Sequence, residues 1–122
     1  MEHRPKVSVL IPTYNYAYCL DEAMQSVLDQ TLPDLELIVI DDCSKDNTDD
    51  VMQKYLADPR IIYMRNEKNL GLVESLNRGL KYAKGEFIAR MDADDICLHE
   101  RLVKQKTFLD QNKDITVVAS TI

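Results

Sequence analysis

Glycine is scarce in this chain: three of its 122 residues are glycine, at positions 71, 79 and 85. That spacing excludes the dinucleotide-binding pattern G-x-G-x-x-G, and the phosphate loop G-x-x-x-x-G-K-[ST] is missing as well. The cysteines are also few and scattered, at Cys19, Cys43 and Cys97. They form neither a disulfide framework nor a zinc-binding pattern, so we expect free thiols in a reducing compartment.

Long apolar runs are missing too. No stretch approaches the roughly 20 residues that a membrane helix needs, and residues 1–6 lack the apolar segment of a signal peptide. The net charge of -6 does not provide the basic surface that nucleic-acid binding requires, so we expect no nucleic-acid partner. We expect a cytoplasmic protein, whose association with a membrane, if it has one, would be peripheral and at the inner face.

The composition, with 45% hydrophobic and 30% charged residues, suits one soluble globular domain over residues 1–122. Five apolar runs rich in β-branched residues predict strands at 7–11, 35–40, 61–64, 87–91 and 115–119. Segments with helical periodicity lie between the strands. This alternation predicts an α/β fold with a mostly parallel sheet of about five strands and helices on both faces.

Two of the predicted helices have clear apolar stripes. The residues of these stripes are Leu20, Ala23, Met24, Val27 and Leu28 in the first helix, and Leu72, Val73, Leu76, Leu80 and Ala83 in the third. Residues at this spacing share one helix face, so both stripes are expected to be buried. Asp21 and Glu22 are expected in the first turn of the first helix, and Gly85 just after the end of the third.

Two of the predicted strands end in carboxylates. The run 87–91 leads into Asp92, Asp94 and Asp95, and the run 35–40 leads into Asp41 and Asp42. Parallel strands end at one edge of a sheet, where open α/β folds bind their ligands. On extended backbone Asp92 and Asp94 would point to the same side. A hard cation, Mg²⁺ or Mn²⁺, would relieve their repulsion and bridge to phosphates. The alternative is a solvated acidic turn.

The first predicted strand ends at the same edge, on Pro12, Thr13, Tyr14 and Asn15. These residues offer a hydroxyl, an aromatic face and an amide, which suit a base or a ribose. For Tyr14 the alternative is an aromatic ring that packs on the surface; for the Asp pair of the second strand it is a turn with helix N-caps. Carboxylates without a glycine-rich phosphate loop suit a nucleoside diphosphate held through a metal ion.

The chain resembles the family-2 glycosyltransferases over nearly its whole length. The matching blocks, in the order found in the family, are VSVLIPTYN at 7–15, SVLDQT at 26–31, ELIVIDDCS at 36–44, NLGL at 69–72, LNRGL at 76–80 and AKGEFIARMDADD at 83–95. The last block contains the Asp-x-Asp motif of the family. Cys43 departs from the pattern, because glycine or another small residue is more usual at this position.

The resemblance implies the GT-A fold and a nucleotide-sugar donor. It places the nucleotide against Pro12, Thr13, Tyr14, Asn15, Asp41, Asp42, Asn69, Asp92 and Ala93. Thr13 and Tyr14 would flank the base, and Asp41 or Asp42 would accept a hydrogen bond from uracil N3–H of a UDP-sugar. Asp92 would lie near the ribose. Asp92 and Asp94 would hold the Mn²⁺ or Mg²⁺ that bridges the diphosphate, with Asp95 beside them.

The resemblance also implies an inverting transfer, which needs a general base for the acceptor hydroxyl. In the family this base comes from a later segment, so we expect it beyond Ile122. Residues 1–122 would then be the donor-binding, N-terminal part of a longer enzyme and poorly active alone. The acceptor (saccharide, lipid-linked sugar or protein) and the oligomeric state are left open. Two alternatives are a non-catalytic nucleotide-sugar-binding module and, less favoured, a phosphorylated receiver domain.

Overall fold

The computed structural model describes residues 4–118. Strands and helices alternate along this part of the chain, as the sequence predicts. The elements are β1 (Val7–Thr13), α1 (Ala17–Leu28), β2 (Leu35–Asp41), α2 (Thr48–Gln53), β3 (Ile61–Arg65), α3 (Leu72–Tyr82), β4 (Phe87–Arg90) and α4 (Arg101–Gln111).

The four strands form one parallel sheet in the order β3-β2-β1-β4. β1 lies in the middle, with β2 on one side and β4 on the other, and all three pairings are parallel. The carboxyl ends of the strands therefore share one edge of the sheet. Because the chain moves outward from β1 to β3 and then returns to the opposite side of β1, the strand order reverses between β1 and β4. Open α/β sheets bind their ligands in the crevice at such a reversal.

Helices cover both faces of the sheet, which confirms the predicted α/β architecture. On one face, Val7, Val9 and Ile11 of β1 belong to a core that includes α1, α2 and Leu102 of α4. On the other face, a smaller core contains Leu10 and residues of β2 and β3, with Leu76 of α3 packed against it. β2 is buried along its whole length, as a parallel strand covered on both sides should be.

The stripe predicted on α1 is confirmed, but the predicted start of this helix is wrong. Leu20, Ala23, Met24 and Val27 are buried. The helix begins at Ala17, and no acidic residue lies in its first turn. Its N-terminus is instead capped from the loop after β2, because Asp46 accepts a hydrogen bond from the Ala17 N–H (3.0 Å). Such a distant cap leaves no local signal in the sequence.

The stripe predicted on α3 is wrong in detail. Ser75 and Gly79 are the buried residues of this helix, whereas Leu72, Val73 and Leu80 are exposed. Gly79 permits a close approach to the sheet, since an added Cβ would lie 2.8 Å from Ile40 Cδ1. The face with the smallest side chains therefore meets the strands, and the larger apolar residues lie to its sides.

Gly85 also differs from its expected role. α3 ends at Tyr82 with Ala83 as its C-cap, so Gly85 does not directly follow the helix. It lies against β1 instead, where an added Cβ would be 2.5 Å from the backbone nitrogen of Ser8. Its N–H donates to Ser8 Oγ (2.8 Å), which brings the chain into β4 beside β1. The glycine is required by space rather than by a left-handed conformation.

The predicted fifth strand is not formed in the described residues. Residues 115–118 have no regular structure, and Ala119 lies outside the described part of the chain. A strand needs a hydrogen-bonded neighbour, and Thr116, Val117 and Val118 line a groove between β4 and α4 without pairing with β4. Over residues 4–118 the sheet thus has four strands. In the same range, no helix has the length and apolar character needed to cross a membrane.

Candidate functional site

A cavity of about 490 Å³ opens at the carboxyl edge of the sheet. It lies over the ends of β1 and β4 and the N-terminus of α3, where the strand order reverses. Its lining residues are Pro12, Thr13, Tyr14, Tyr16, Asp42, Asn69, Gly71, Leu72, Ser75, Arg90, Asp92, Ala93 and Asp94. The structure therefore brings the ends of three predicted strands into one site, with three carboxylates facing it.

The carboxylates after β4 come together through a turn. β4 ends at Arg90, and the Asp95 N–H donates to the Asp92 carbonyl (3.1 Å). The expected extended backbone through Asp92 and Asp94 is thus incorrect, although the two side chains do converge. Carboxylate oxygens of Asp92, Asp94 and Asp95 lie within 4.8 Å of one another. Such an all-oxygen donor set has the chemistry that Mg²⁺ and Mn²⁺ prefer.

Asp42 lines the cavity and also fastens the loop before α3. Its carboxylate accepts hydrogen bonds from the N–H groups of Leu70 (2.7 Å) and Gly71 (2.9 Å) and from Asn66 Nδ2 (2.9 Å). Burial raises the pKa of this carboxyl, but the hydrogen bonds from Leu70, Asn66 and Gly71 outweigh it and hold the pKa below its usual value. Asp42 is therefore ionised at neutral pH, and Oδ2, with one of these bonds, can accept another.

Asp41 has a different environment, which the sequence could not distinguish from that of Asp42. It is fully buried and does not line the cavity. One oxygen accepts from the Ser44 N–H (3.0 Å), and the other pairs with the Arg65 guanidinium (3.0 Å). These groups compensate the buried charge, so the geometry supports a structural role for Asp41 at the end of β2.

The residues after β1 also separate into two groups. Asn15 does not line the cavity; its Oδ1 accepts from the Lys45 N–H and its own N–H donates to Ser44 Oγ (both 2.8 Å). Thr13 lines the cavity and is 3% exposed, yet its hydroxyl has no hydrogen-bond partner among residues 4–118. A buried hydroxyl without a partner is costly. Thr13 therefore combines a place in the cavity lining with an unsatisfied hydroxyl.

Cys43, between Asp42 and Ser44, has a left-handed backbone conformation with φ of 64°. This conformation costs an L-residue about 1–2 kcal/mol, whereas glycine adopts it freely. Its thiol lies 3.6 Å from the Glu67 carbonyl, at the long end of a weak S–H bond. This geometry explains why glycine would suit position 43, where this sequence departs from the family pattern.

We expect Cys43→Gly to stabilise the protein by about 0.5–1 kcal/mol, because the relief of strain exceeds the extra unfolded-state entropy of glycine. Chemical denaturation measures the effect. Asn15→Gly is the matched control, since Asn15 also has a positive φ (57°) but its side chain accepts from Lys45 N–H. This control should lose stability. A Cys43→Gly variant less stable than the wild type would contradict the strain argument.

Sequence reasoning missed several residues of the cavity. Arg90 is the most consequential, because it brings a positive charge beside the carboxylates and lies 3.4 Å from Asp92 Oδ1. Its place two residues before Asp92 was the available signal. Ser75 and Gly71 belong to the loop and helix that Asp42 holds, and their part in the site depends on contacts between distant segments. Tyr16 and Leu72 complete the wall of the cavity.

Comparisons with known proteins identify relatives of this chain by sequence and by fold. An uncharacterized glycosyltransferase of Haemophilus influenzae is 41% identical over 121 residues, which are 98% of this chain and 38% of that protein. The crystal structure of S. aureus TarS 1-349 in complex with UDP-GlcNAc matches with a TM-score of 0.82 and 34% identity, over 88% of this chain and 32% of that one. The mannosyltransferase PcManGT of Pyrobaculum calidifontis, in complex with GDP-Man and Mn²⁺, matches with a TM-score of 0.70 and 30% identity, over 77% and 29%.

The chain thus spans less than half the length of these relatives. Its fold is that of GT-A proteins, as the sequence predicts, with four strands in the described residues. The family described as "Glycosyl transferase family 2" matches residues 8–122. On the sequence, the fold and the carboxylate-lined cavity, this chain belongs to glycosyltransferase family 2.

Proposed function

We propose that the cavity binds the nucleoside diphosphate of a sugar donor through a divalent cation. We also propose that residues 1–122 belong to a longer protein, which would then transfer the sugar to an acceptor with inversion. The observation that carries this proposal is one cavity holding three kinds of group: a carboxylate cluster, the unpartnered hydroxyl of Thr13, and the ionised Asp42. The carboxylate cluster and the Thr13 hydroxyl are costly without a ligand, and the Asp42 carboxylate keeps a free lone pair. Together the three match a metal, a diphosphate and a nucleoside.

The carboxylate turn fits the proposed metal. Asp92, Asp94 and Asp95 offer three hard oxygen ligands from one short segment, and Asp92 and Asp94 are exposed to the cavity. Mn²⁺ or Mg²⁺ held there would supply charge neutralisation for the diphosphate leaving group. PcManGT in complex with GDP-Man and Mn²⁺ supports this assignment. Arg90, on the same wall, would place a second positive charge near the phosphates.

The other end of the cavity fits a base. Asp42 Oδ2 has a remaining lone pair, so it would accept a hydrogen bond from an imide N–H such as uracil N3–H. Tyr14, which is 40% exposed, offers a ring face, and Thr13 Oγ1 offers a donor and an acceptor. We favour a UDP-sugar, in line with the UDP-GlcNAc complex of TarS. Asp41 and Asn15 do not line the cavity, so they would act indirectly, by fixing the loops with which they form hydrogen bonds.

A donor-binding module without catalysis is the second candidate. The carboxylates of the cavity have roles in this proposal as metal ligands or base acceptors, which leaves the general base as a prediction outside residues 1–122. The acceptor and a peripheral association with the inner face of a membrane also stay proposals. Transfer assays on the longer protein, with donor hydrolysis as the parallel readout, separate an enzyme from a binding module.

Calorimetry tests the donor site directly. We expect UDP to bind about tenfold or more tightly with Mn²⁺ than with EDTA, a gain of about 1.4 kcal/mol or more. Uridine, which has no phosphate for the cation to bridge, should bind equally in both conditions. ATP serves as a control for non-specific affinity for metal nucleotides. Equal UDP binding with Mn²⁺ and EDTA would contradict the metal site, and ATP binding as tight as UDP would contradict the base site.

A further inference from the structure

The last turn of α1 and the residues directly after it contact the segment that connects the carboxylate turn to α4. Three side chains make these contacts, and we call Ser26, Gln30 and Thr31 the α1 anchor. They contact the backbone of residues 97–102, which begins two residues after Asp95. The anchor lies outside the cavity lining, so donor binding does not account for it.

Gln30 is the centre of the anchor. Gln30 is 6% exposed. Its side-chain amide forms hydrogen bonds with backbone groups at both ends of the segment 97–102. Nε2 donates to the carbonyls of Leu98 (2.7 Å) and Cys97 (3.2 Å), while Oε1 accepts from the Leu102 N–H (3.2 Å). An amide supplies both donor and acceptor atoms, so glutamine matches a backbone that presents both.

The other two residues hold the same segment from either side. Ser26 Oγ accepts from the Cys97 N–H (2.9 Å). Thr31 donates twice to the His99 carbonyl, from its N–H (2.9 Å) and its hydroxyl (3.2 Å). At the other end of α1, Cys19 Sγ lies 3.5 Å from the Ala93 carbonyl, inside the carboxylate turn. Residues from both ends of α1 and from the loop after it therefore contact the carboxylate turn and the backbone that follows the turn.

We propose that Gln30 is a positioning residue for the carboxylates of Asp92, Asp94 and Asp95. β4 fixes the N-terminal side of the turn by pairing with β1, and Gln30 fixes the C-terminal side. Three carboxylates within 4.8 Å repel one another, so without that fixed end the turn would open and the ligand atoms would separate. This inference rests on the proposed metal-linked donor site.

A purely architectural role is the competing explanation, in which Gln30 only joins α1 to α4. The two explanations differ in what a substitution changes. Removing a residue that orients metal ligands typically lowers metal affinity or activity about 10–100-fold. An architectural residue would lower the melting temperature but leave the gain in UDP affinity from Mn²⁺ unchanged.

The test compares the wild type with Gln30→Met, which keeps the length of the side chain but removes its hydrogen bonds. We expect Gln30→Met to lose most of the wild-type affinity ratio for UDP in Mn²⁺ over EDTA, a fall of about 10-fold, while uridine binding stays within about twofold. Gln25→Met is the control: it makes the same substitution within α1, where the Gln25 amide contacts Tyr55 and not the segment 97–102. Its ratio should equal that of the wild type.

Ser26→Ala is a milder second variant, which removes the acceptor for the Cys97 N–H. If Gln30→Met does not fold, Ser26→Ala takes its place in the test. Its affinity ratio should also fall, by less. A Gln30→Met protein with a lower melting temperature but an unchanged ratio would overturn the inference and leave the donor site intact. A wild type without any Mn²⁺-dependent gain would overturn the donor proposal and this inference together.

Discussion

Asp94→Asn will remove most of the UDP affinity that Mn²⁺ provides. The substitution keeps the shape of the side chain but removes the charge of a carboxylate whose oxygens lie within 4.8 Å of those of Asp92 and Asp95. Loss of an outer-shell partner typically costs about 10–100-fold in metal affinity, and loss of a direct ligand should cost at least the upper end of that range. Calorimetry with UDP in Mn²⁺ and in EDTA gives the change.

Two comparisons make this prediction specific. Asp114→Asn removes the same charge at an exposed turn after α4 and should leave the Mn²⁺-dependent affinity unchanged. Uridine affinity should be the same in Asp94→Asn and the wild type, because the nucleoside contacts the other end of the cavity. If the variant keeps the full gain from Mn²⁺, Asp94 is not a ligand. If uridine binding falls as well, the substitution has disturbed the whole cavity.

The sequence predicted the location of the site because that depends on local patterns. Apolar runs that change abruptly to polar residues mark the ends of strands, and parallel pairing brings those ends to one edge. Thr13, Asp42 and Asp92 therefore meet in one cavity although they are far apart in the chain. The register of the sheet aligns the strand ends, because Thr13 of β1 pairs with Asp41 of β2 and Leu10 of β1 pairs with Arg90 of β4.

Details that depend on distant contacts could not be predicted in this way. Asp41 and Asp42 are adjacent and chemically identical, and only the positions of Arg65 and the Leu70–Gly71 backbone distinguish a buried ion pair from a cavity carboxylate. The start of α1 depends on Asp46, which lies almost thirty residues further along the chain. Hydrophobic periodicity describes one segment at a time and contains no information about such partners.

The errors on α3 and after α4 have a related cause. Periodicity identifies an apolar face but not the distance to the sheet. On α3, the close approach at Gly79 places small residues against β1 and β2. Residues 115–118 have strong β-propensity. A segment with this propensity forms a strand only when it pairs with the edge of another strand. In both cases the tertiary partner decides the outcome, and the local preference does not.

Asp42→Ala should have the largest effect on stability among the residues of the cavity. It would leave three donors, the N–H groups of Leu70 and Gly71 and the amide of Asn66, without their acceptor. An unsatisfied buried donor costs about 1–3 kcal/mol. The Asn66 amide is buried, whereas the Leu70 and Gly71 N–H groups are partly buried and can turn to water. We expect a loss of about 2–3 kcal/mol, together with loss of UDP binding. Urea denaturation at pH 7 measures the first effect.

The pH dependence of stability provides an independent check on Asp42. The pKa of this carboxyl is lowered in the folded protein. Its contribution is therefore present above the unfolded-state pKa of about 3.9 and is lost as the pH falls through the lower, folded value. The wild type should lose stability on acidification below about pH 4 more steeply than Asp42→Asn, which has no carboxyl to protonate there. Parallel curves for the two proteins would argue against this assignment.

Asp92→Ala separates the two roles that Asp42 combines. Asp92 lines the same cavity, but its side chain is exposed and its partner, Arg90, lies at the surface. Surface substitutions usually change stability by less than about 0.5 kcal/mol, so this variant should lose the gain from Mn²⁺ and keep its stability. Asp42→Ala should lose both. If Asp42→Ala unfolds at the same urea concentration as the wild type, the loop before α3 is held by other contacts, and Asp42 acts only through the ligand.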